Sequence, residues 1–388
     1  MLDLQSIYRC TFEQISYLNT IWGITYLVGA LGVGIYSKFN KYTVFMLCLI
    51  VNGLTSVPFA NFKYLSILYV AYGINGIDSG IIDSFTTVWM IEIWETKCGP
   101  FAEALHFVIS VGQIVATPLA NQFLSTIVTN NGSDDVHTTP SRIWIPYLIV
   151  GVINIATGIW FGGIAIYRHR YYGSRGKKLT TIDNTSNNNN NIDSKRFSHL
   201  FIKTRNLFVT QLSSSKVGCA VLLMTCLQSA IMSTLVWYWQ TYWTPFAQFS
   251  SDNLISKQLA NNMLTAFQIA VAVSRAVFIP LSVYVSPVFR IYFSFVVLIV
   301  SVVLFVIYGI SSLTILWLGN VLMGVGLGPI QASYYQLLRG ILPVTNMFGA
   351  IATFLNGLFQ AIFSAVLGHY IDNNPIIFIY LSVALLDA

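Results

Sequence analysis

The chain has 388 residues, of which 55% are hydrophobic and only 9% are charged, and its formal net charge is +6. Soluble globular proteins carry about a quarter charged residues, so this composition excludes a soluble globular domain. The apolar stretches are continuous and do not alternate over segments of about ten residues, which excludes a transmembrane β-barrel. The sequence therefore predicts an all-α polytopic membrane protein.

Apolar runs between polar breaks predict eleven transmembrane helices, because a helix needs about 20 apolar residues to cross a bilayer. The last run is short for a full crossing. The five cysteines lie mostly in or beside these runs without metal-binding spacing, so we expect neither a metal centre nor a cofactor. The predicted helices are 15–37, 43–61, 64–91, 100–127, 144–166, 217–243, 258–284, 289–310, 314–337, 346–370 and 375–388.

A polar segment separates the first five predicted helices from the last six. It is basic, rich in Asn and Ser, and contains an unbroken Asn run at 187–191. This composition is typical of a flexible linker. We therefore predict a helical bundle at 1–166, a cytoplasmic linker at 167–216 and a second bundle at 217–388. The basic ends of the linker are suited to anionic lipid, and we expect no nucleic-acid partner.

The distribution of basic residues orients the chain through the positive-inside rule. If the residues before the first helix lie outside, 15 of the 20 Lys and Arg residues fall in cytoplasmic loops and four fall outside. This orientation places the sequon at Asn131 outside, where it can be glycosylated. Residues 1–13 lack the pattern of a signal peptide. We expect a multi-pass glycoprotein of the plasma membrane.

Polar side chains recur at helical spacing inside the predicted helices. In the third helix Asn75, Ser79 and Asp83 share one face, whereas Asp78 points elsewhere. Because a charge is costly inside a bilayer, Asp83 is a candidate functional carboxylate. In the fourth helix, steps of three and four residues connect Glu103, His106, Ser110, Gln113 and Thr117.

We interpret these stripes as the lining of a water-filled cavity between helices. A dry structural network is the alternative. Glu103 also fits a second interpretation, as solvated surface near the cytoplasmic end of its helix.

Amides, hydroxyls and aromatic rings form similar stripes in the second bundle. Amides exchange paired hydrogen bonds with sugar hydroxyls, and the face of a Trp ring packs on the C–H surface of a sugar. Tyr242 and Trp243 are expected in an interfacial aromatic belt, whereas Trp237 lies deep enough to contact a ligand. The predicted substrate-binding residues are His106, Gln113, Gln228, Trp237, Gln240, Gln331, Asn356 and Gln360.

Arg275 lies within an apolar segment, so it needs a partner or a route to water. It can snorkel towards the cytoplasmic end, pair with a carboxylate or contact a substrate, and the sequence leaves these three alternatives open. No nucleophile elbow, phosphate-binding loop or metallohydrolase motif accompanies Asp83 or His106. We therefore expect no enzymatic activity.

Two groups of helices joined by a basic linker resemble the major facilitator superfamily. Residues 83–94, followed by Ala-Leu-His-Phe at 104–107, are similar to the sodium-dependent glucose transporter 1 group, which is related to fucose permeases. Ser274-Arg275 and residues 324–329 extend the similarity. The resemblance implies a two-bundle fold and a hexose carrier that works by alternating access. It also implies coupling to Na⁺ or H⁺ through Asp83, with His106 in the cavity.

The sequence departs from this group at three places. Phe85-Thr86-Thr87 replaces Gly-Gly-Asn, and Ser37-Lys38 replaces the cytoplasmic loop motif that carries a gating salt bridge. We assign Lys38 and Arg275 a gating or structural role. Residues 2–5 resemble the stretch after the first helix of the group. We therefore expect the first of the usual twelve helices to be missing and the last to be truncated.

Three functions remain open at this point. The first is a monomeric secondary transporter of a hexose such as glucose, with the sugar and the lipid bilayer as its partners. The second is a non-transporting relative with a regulatory or scaffold role. The third is a facilitator of another small neutral solute, such as a polyol.

Overall fold

Helices make up nearly all of the regular structure in the computed structural model of the chain. The model describes residues 1–32, 40–57, 64–94, 98–125, 127–129, 136–138, 141–179, 216–250, 255–308, 312–341 and 346–387.

The first half of the molecule comprises six helices and a short antiparallel hairpin in the described residues. The hairpin lies between α5 and α6, and its two strands pair over three residues each. In chain order the elements are α1 (Leu2–Tyr8), α2 (Phe12–Leu31), α3 (Lys41–Ser56), α4 (Leu65–Trp94), α5 (Cys98–Asn121), β1 (Ile127–Thr129), β2 (Val136–Thr138) and α6 (Trp144–Leu179).

The second half contains seven helices in the part of the chain that the structure describes. They are α7 (Lys216–Ser250), α8 (Lys257–Tyr284), α9 (Pro287–Tyr308), α10 (Leu313–Leu327), α11 (Ile330–Ile341), α12 (Asn346–Tyr370) and α13 (Ile377–Asp387).

The eleven predicted membrane helices each have a helical counterpart in the same order among the described residues, but not every counterpart is long and apolar enough to cross a membrane. Eight stretches of the described helices are long and apolar enough to cross a membrane, and α3 and α13 are shorter apolar helices. The predicted helix 314–337 is two helices, because Pro329 interrupts it. The helix predicted to end at residue 166 continues to Leu179. It therefore enters the segment assigned to the linker, whose residues 180–215 lie outside the described residues.

Two pairs of helices make the most extensive contacts between the halves: α2 packs against α12, and α5 packs against α8. Within the first half α2 also packs along α4, and α3 packs along α6. Glycines permit the α2–α4 contact. A Cβ added at Gly29 would lie 2.1 Å from the Ile77 carbonyl oxygen, and one added at Gly80 would lie 2.3 Å from the Tyr26 carbonyl oxygen.

The aromatic residues at the end of α7 pack inside the second half. Tyr242 and Trp243 are fully buried, so the prediction of an interfacial belt was wrong for both. The Trp243 ring lies 5.5 Å from Trp239 and 6.4 Å from Phe378, measured between ring centroids. Three of these four rings come from one face of α7 at helical spacing. Their packing against α13 makes this region a core and not a lipid-facing surface.

Candidate functional site

A ladder of amide and hydroxyl side chains crosses the contact between the two halves. Gln113 and Gln240 exchange two hydrogen bonds, each 3.0 Å long. One turn further along α5, the Thr117 hydroxyl donates to Gln268 at 2.8 Å. At the end of α5, Asn121 accepts a hydrogen bond of 3.1 Å from Asn261. The stripe on α5 therefore shares one face, as its spacing indicated, but Gln113 and Thr117 bond directly to the second half and do not line the cavity described below.

Three aromatic rings, which we call the aromatic line, lie beside this ladder. Trp22 stacks on Tyr26 with centroids 4.9 Å apart. On its other side Trp22 lies parallel to Trp237 at 6.2 Å, with an interplanar angle of 4°. The Trp22 indole N–H donates to Asn75 at 3.3 Å. The aromatic line therefore connects α2 to α7 and so extends from one half to the other.

Asp83 lies at one end of the aromatic line. The Tyr26 hydroxyl donates to the Asp83 carboxylate at 2.5 Å, and the Asn356 side chain also neighbours that hydroxyl. Asp83 remains solvent-accessible, although the Tyr26 ring is buried. A carboxylate in this position faces an opening between helices and not a dry core.

Amides of α12 continue from Asp83 towards α7. The Asn356 side-chain oxygen accepts from the Thr234 hydroxyl and from the Gln360 amide, each at 3.1 Å. Asn356 and Gln360, two predicted substrate-binding residues, therefore lie next to each other and near the aromatic line.

A cavity of about 490 Å³ opens beside the aromatic line. Its wall includes Trp22, Asn75 and Trp237, together with Asn52 from α3 and Tyr147 from α6. This volume falls within the range of about 300–1,000 Å³ that is usual for small-molecule sites. Of the eight predicted substrate-binding residues, all of which the structure describes, Trp237 lines this cavity.

Two other predicted residues lie towards the opposite end of the ladder. The His106 imidazole is parallel to the Tyr335 ring at 6.2 Å, which places it between α5 and α11. Arg275 is 3% exposed, and its guanidinium donates to the His106 carbonyl at 2.8 Å and to the Ser110 hydroxyl at 2.5 Å. Arg275 therefore does not snorkel to the surface. It joins α8 to α5 across the two halves.

Arg275 and its neighbour also stabilise the break between α10 and α11. Pro329 has no N–H, so it cannot donate to the carbonyl four residues earlier. That carbonyl, of Val325, accepts instead from the Ser274 hydroxyl at 2.9 Å. The Gly328 carbonyl accepts from Arg275 Nε at 3.0 Å. The two residue groups that carried part of the family resemblance are therefore in direct contact.

An ion pair closes the end of the interface opposite the α1 helix, which we call the inner end. Glu103 of α5 and Arg290 of α9 are 2.9 Å apart, and both side chains are fully buried. Arg290 also donates to Gln336 of α11. The interpretation of Glu103 as solvated surface was wrong. Each residue is buried because the other neutralises it.

A second ion pair closes the outer end, next to α1. Lys257 at the start of α8 lies 3.1 Å from Asp3. The backbone N–H of Ser125 donates to the same carboxylate at 2.8 Å and its hydroxyl at 3.0 Å. Burial raises the pKa of Asp3, but these hydrogen bonds and the Lys257 charge outweigh burial and lower the pKa below its usual value. We call these three residues the outer clasp.

Two of the remaining predicted residues lie away from the ladder and the aromatic line, and two others lie outside the described residues. Gln228 contacts Tyr334 of α11, and Gln331 is half-buried on the same helix. Neither belongs to the ladder or the aromatic line. Lys38 and Asn131 lie outside the described residues, so their gating and glycosylation roles stay predictions.

Sequence reasoning missed the contribution of α2. Trp22 and Tyr26 are in the aromatic line, and Asn19 lines the cavity beside them. These residues follow one another at steps of three and four, so they share a face of α2. That spacing is present in the sequence, but two aromatic rings on an apolar helix are also typical of ordinary core packing.

Comparison with known proteins agrees with this architecture. The model of the Major Facilitator Superfamily matches residues 1–368. Major facilitator superfamily domain-containing protein 4B of Danio rerio is 25% identical over 145 residues, which is 35% of this chain and 27% of that protein. Sodium-dependent glucose transporter 1 of Xenopus laevis is 26% identical over 138 residues, which is 35% of this chain and 28% of the relative.

A third relative, sodium-dependent glucose transporter 1A of Mus musculus, is 27% identical over 146 residues, or 32% of this chain. The chain matches only 33% of its length. Among solved structures, a bacterial homologue of the iron transporter ferroportin in its outward-facing state superposes with a TM-score of 0.65. That match covers 99% of this chain and 90% of the other at 12% identity, so it shows the fold alone.

The family model covers nearly the whole chain, and the helices form two halves in contact through α2–α12 and α5–α8. One solved structure with the same fold is that of a transporter homologue. This chain belongs to the Major Facilitator Superfamily.

Proposed function

We propose that this protein is a secondary transporter of a small polyhydroxylated solute of the hexose class. The observation that supports this function is the aromatic line, which is flanked by amides and borders a cavity that is lined by helices of the first half and by Trp237 of the second. The partial similarity to sodium-dependent glucose transporters supports the same solute class. We further propose that the protein acts as a monomer in the plasma membrane.

The chemistry of the aromatic line suits a sugar ring. Trp237 lines the cavity and offers it an apolar aromatic surface, on which the C–H groups of a pyranose can pack. The Asn75 and Asn356 side chains lie on either side of the line, and an amide both donates and accepts. Neither residue carries a charge, so the site favours a neutral solute over an acidic or basic one.

Asp83 is the residue that we assign to ion coupling, with H⁺ or Na⁺ as the ion. Its carboxylate bonds Tyr26, and Tyr26 stacks on Trp22. A change in the charge of Asp83 therefore acts on the sugar site through a single side chain. An ion shifts the equilibrium between two conformations of the transporter only if it binds one of them more tightly than the other. Coupling therefore requires a contact of this kind between the ion site and the sugar site.

Alternating access requires the two ends of the interface to open in turn. The outer clasp and the Glu103–Arg290 pair each bring together residues of different halves. Both are closed in this conformation. We assign the present conformation to an occluded step of the transport cycle.

Uptake of labelled glucose by proteoliposomes containing the full chain tests this function. We expect saturable uptake, and at least a tenfold loss in Trp237→Ala, which corresponds to about 1.4 kcal/mol of lost binding. Trp160→Ala is the matched control, because Trp160 is 66% exposed on α6 and should leave uptake unchanged. Competition by other hexoses and by polyols ranks the solutes.

The same vesicles test coupling through Asp83. With a Na⁺ or proton gradient we expect glucose to accumulate above equilibrium, and Asp83→Asn should equilibrate glucose without accumulating it. Asp372→Asn, in an exposed turn, is the control. Full accumulation by Asp83→Asn would contradict the coupling role. Absence of saturable glucose binding by the purified protein would contradict the transport function and favour a scaffold role.

A further inference from the structure

Asp78 is a buried carboxylate that neither the aromatic line nor the ladder uses. It is 4% exposed and lies on the face of α4 that packs against α3. Within the part of the chain that the structure describes, its Oδ2 atom has no hydrogen-bond partner. A buried carboxylate that has one unbonded oxygen and no counter-charge is strongly disfavoured in its charged form. It therefore requires a bound cation or a proton.

The neighbours of Asp78 are hydrogen-bond donors. The side chains of Cys48 and Asn52 on α3 contact the carboxylate. The oxygen of Asn52 already accepts from the Asn154 amide of α6 at 2.8 Å. Asn52 is therefore oriented with its N–H₂ group towards Asp78, and the Cys48 thiol offers one further S–H donor. Both occupy one side of the carboxylate and leave Oδ2 free.

Close packing of α3 and α6 fixes this arrangement. A Cβ added at Gly53 would lie 2.6 Å from the Gly151 carbonyl oxygen, and one added at Gly151 would lie 2.9 Å from the Gly53 carbonyl oxygen. The two backbones thus touch one turn or less from Asn52 and Asn154. Close packing of the two helix backbones therefore positions the Asn52 and Asn154 amides next to each other.

The donor set is unsuited to a metal ion. Na⁺ and other hard cations prefer several oxygen ligands, whereas Asp78 offers one free oxygen and its nearest neighbours are a thiol and an amide N–H₂. Among the described residues no group of three or more His, Cys, Asp or Glu side chains is close enough to hold a metal. A proton needs only the one free oxygen.

No described basic side chain neutralises Asp78. The ion pairs between described residues involve Asp3, Glu103 and Glu13. Lys41, the basic residue of α3, lies seven positions before Cys48, which is about 10 Å along the axis. Arg168, the first basic residue of α6, lies fourteen positions after Asn154, or about 21 Å away.

The other titratable groups on helices packed against α4 contact different residues. Cys48 is the titratable group that faces Asp78 from α3. Titratable groups of the remaining helices contact other residues. Tyr26 of α2 bonds Asp83, Tyr17 of α2 bonds Glu13, and Tyr147 of α6 neighbours Tyr72. Glu103 of α5 pairs with Arg290, His106 of α5 faces Tyr335, His369 of α12 pairs with Glu13, and Tyr370 of α12 packs on His369.

The cavity gives Asp78 a route to water. Asn52 and Ser56 of α3 line the cavity wall, and Asn52 contacts the carboxylate. Water in the cavity is therefore separated from Asp78 by one side chain. The carboxylate is shielded in this conformation, and Asn52 is the side chain that contacts both Asp78 and the cavity.

From this geometry we propose that Asp78 is a proton-binding site, distinct from Asp83, which exchanges its proton with the cavity past Asn52. The site takes one proton on Oδ2 while α3, α4 and α6 are packed as observed. Proton binding at Asp78 requires neither glucose nor transport, so this proposal can be tested independently of the proposed function.

Infrared spectroscopy of the full chain in lipid tests the proton site directly. At neutral pH we expect a protonated carboxyl C=O band that Asp78→Asn removes and that Asp83→Asn retains. The band should shift slowly in D₂O, and faster in Asn52→Ala, because that change opens the path to the cavity. A spectrum without a band that depends on Asp78 overturns the proposal. So does a band that disappears when Na⁺ is added at constant pH.

Carbodiimide labelling of the unaltered protein provides a second measurement that requires no variant. These reagents modify protonated carboxyls in apolar surroundings, and mass spectrometry locates the adduct. We expect modification at Asp78, with a rate that falls about tenfold per pH unit above the titration midpoint, because the protonated fraction falls in that way. Unmodified Asp78, or labelling that is independent of pH, overturns the proposal.

Discussion

The Glu103–Arg290 pair is a costly arrangement of two single residues. Both side chains are fully buried, and Glu103 Oε2 and Arg290 Nε have no further hydrogen bond within the described residues. Desolvation of two charges is repaid only while each has the other as its partner. The pair therefore makes the inner contact between the halves specific, since neither residue tolerates separation from its partner inside the protein.

Removal of one partner of this pair should destabilise the protein strongly. We expect Glu103→Gln to lower the free energy of unfolding by about 3–5 kcal/mol, because Arg290 is then buried without a counter-charge. Adding Arg290→Met should recover much of that loss, since the double variant buries no charge. Thermal unfolding of the purified protein measures both effects.

The exposed pair between Glu13 and His369, 3.0 Å apart, offers a control for this experiment. Water solvates both of its partners, so Glu13→Gln should leave the unfolding temperature nearly unchanged. Equal effects of Glu13→Gln and Glu103→Gln would show that burial does not govern the inner pair.

At the scale of elements, glycines determine which helices approach each other closely. The α2–α4 contact places Tyr26 against Asp83, and it exists because Gly29 and Gly80 present no side chain there. Gly76, opposite Trp22 and Thr25, extends the same contact. The position of the coupling carboxylate relative to the aromatic line therefore depends on backbone packing several residues away.

A single methyl group in this contact should separate α2 from α4. We expect Gly29→Ala to destabilise the protein by about 1–3 kcal/mol, as overpacking does in a close-packed core. Gly112→Ala is the matched control, because nothing lies within 4 Å of a Cβ added there and Ala favours a helix by about 1 kcal/mol. An unfolding temperature that falls equally in both variants would contradict this account.

Helix existence and polar spacing were predictable from the sequence, but the partners of each helix were not. The stripe from Glu103 to Thr117 on α5 predicted a shared face, and the structure places that face against the second half. The burial of Tyr242 and Trp243 was not predictable, because an aromatic cluster at a helix end fits both a lipid interface and a core. Only the packing of α13 distinguishes the two environments.

At the scale of the whole molecule, the outer clasp determines whether the outer end is closed. Asp3 is buried against Ser125 and Lys257, so α1 is held against both halves. The pKa of Asp3 lies below its usual value because hydrogen bonds and the Lys257 charge outweigh burial. This stabilisation is therefore complete above the ordinary Asp pKa of about 3.9, and it is lost as the pH falls through the lower, folded-state pKa.

Cys10, next to α1, reports on the outer clasp without an engineered label. Burial raises the pKa of the Cys10 thiol, so we expect it to react slowly with a membrane-impermeant maleimide at neutral pH. In Asp3→Asn the labelling rate should increase several-fold, because α1 loses its charged anchor. The variant should also lack the acid-dependent loss of stability of the unaltered protein. Cys10→Ser gives the background from other thiols, and an unchanged rate in Asp3→Asn would contradict the clasp.

The helix break at Pro329 connects the second half of the molecule to the first through Arg275. Arg275 holds the free Gly328 carbonyl on one side and the His106 backbone on the other. A change of angle between α10 and α11 therefore pulls on α5 through one rigid guanidinium. A rocking motion of the second half therefore moves the main chain at His106 in the first half.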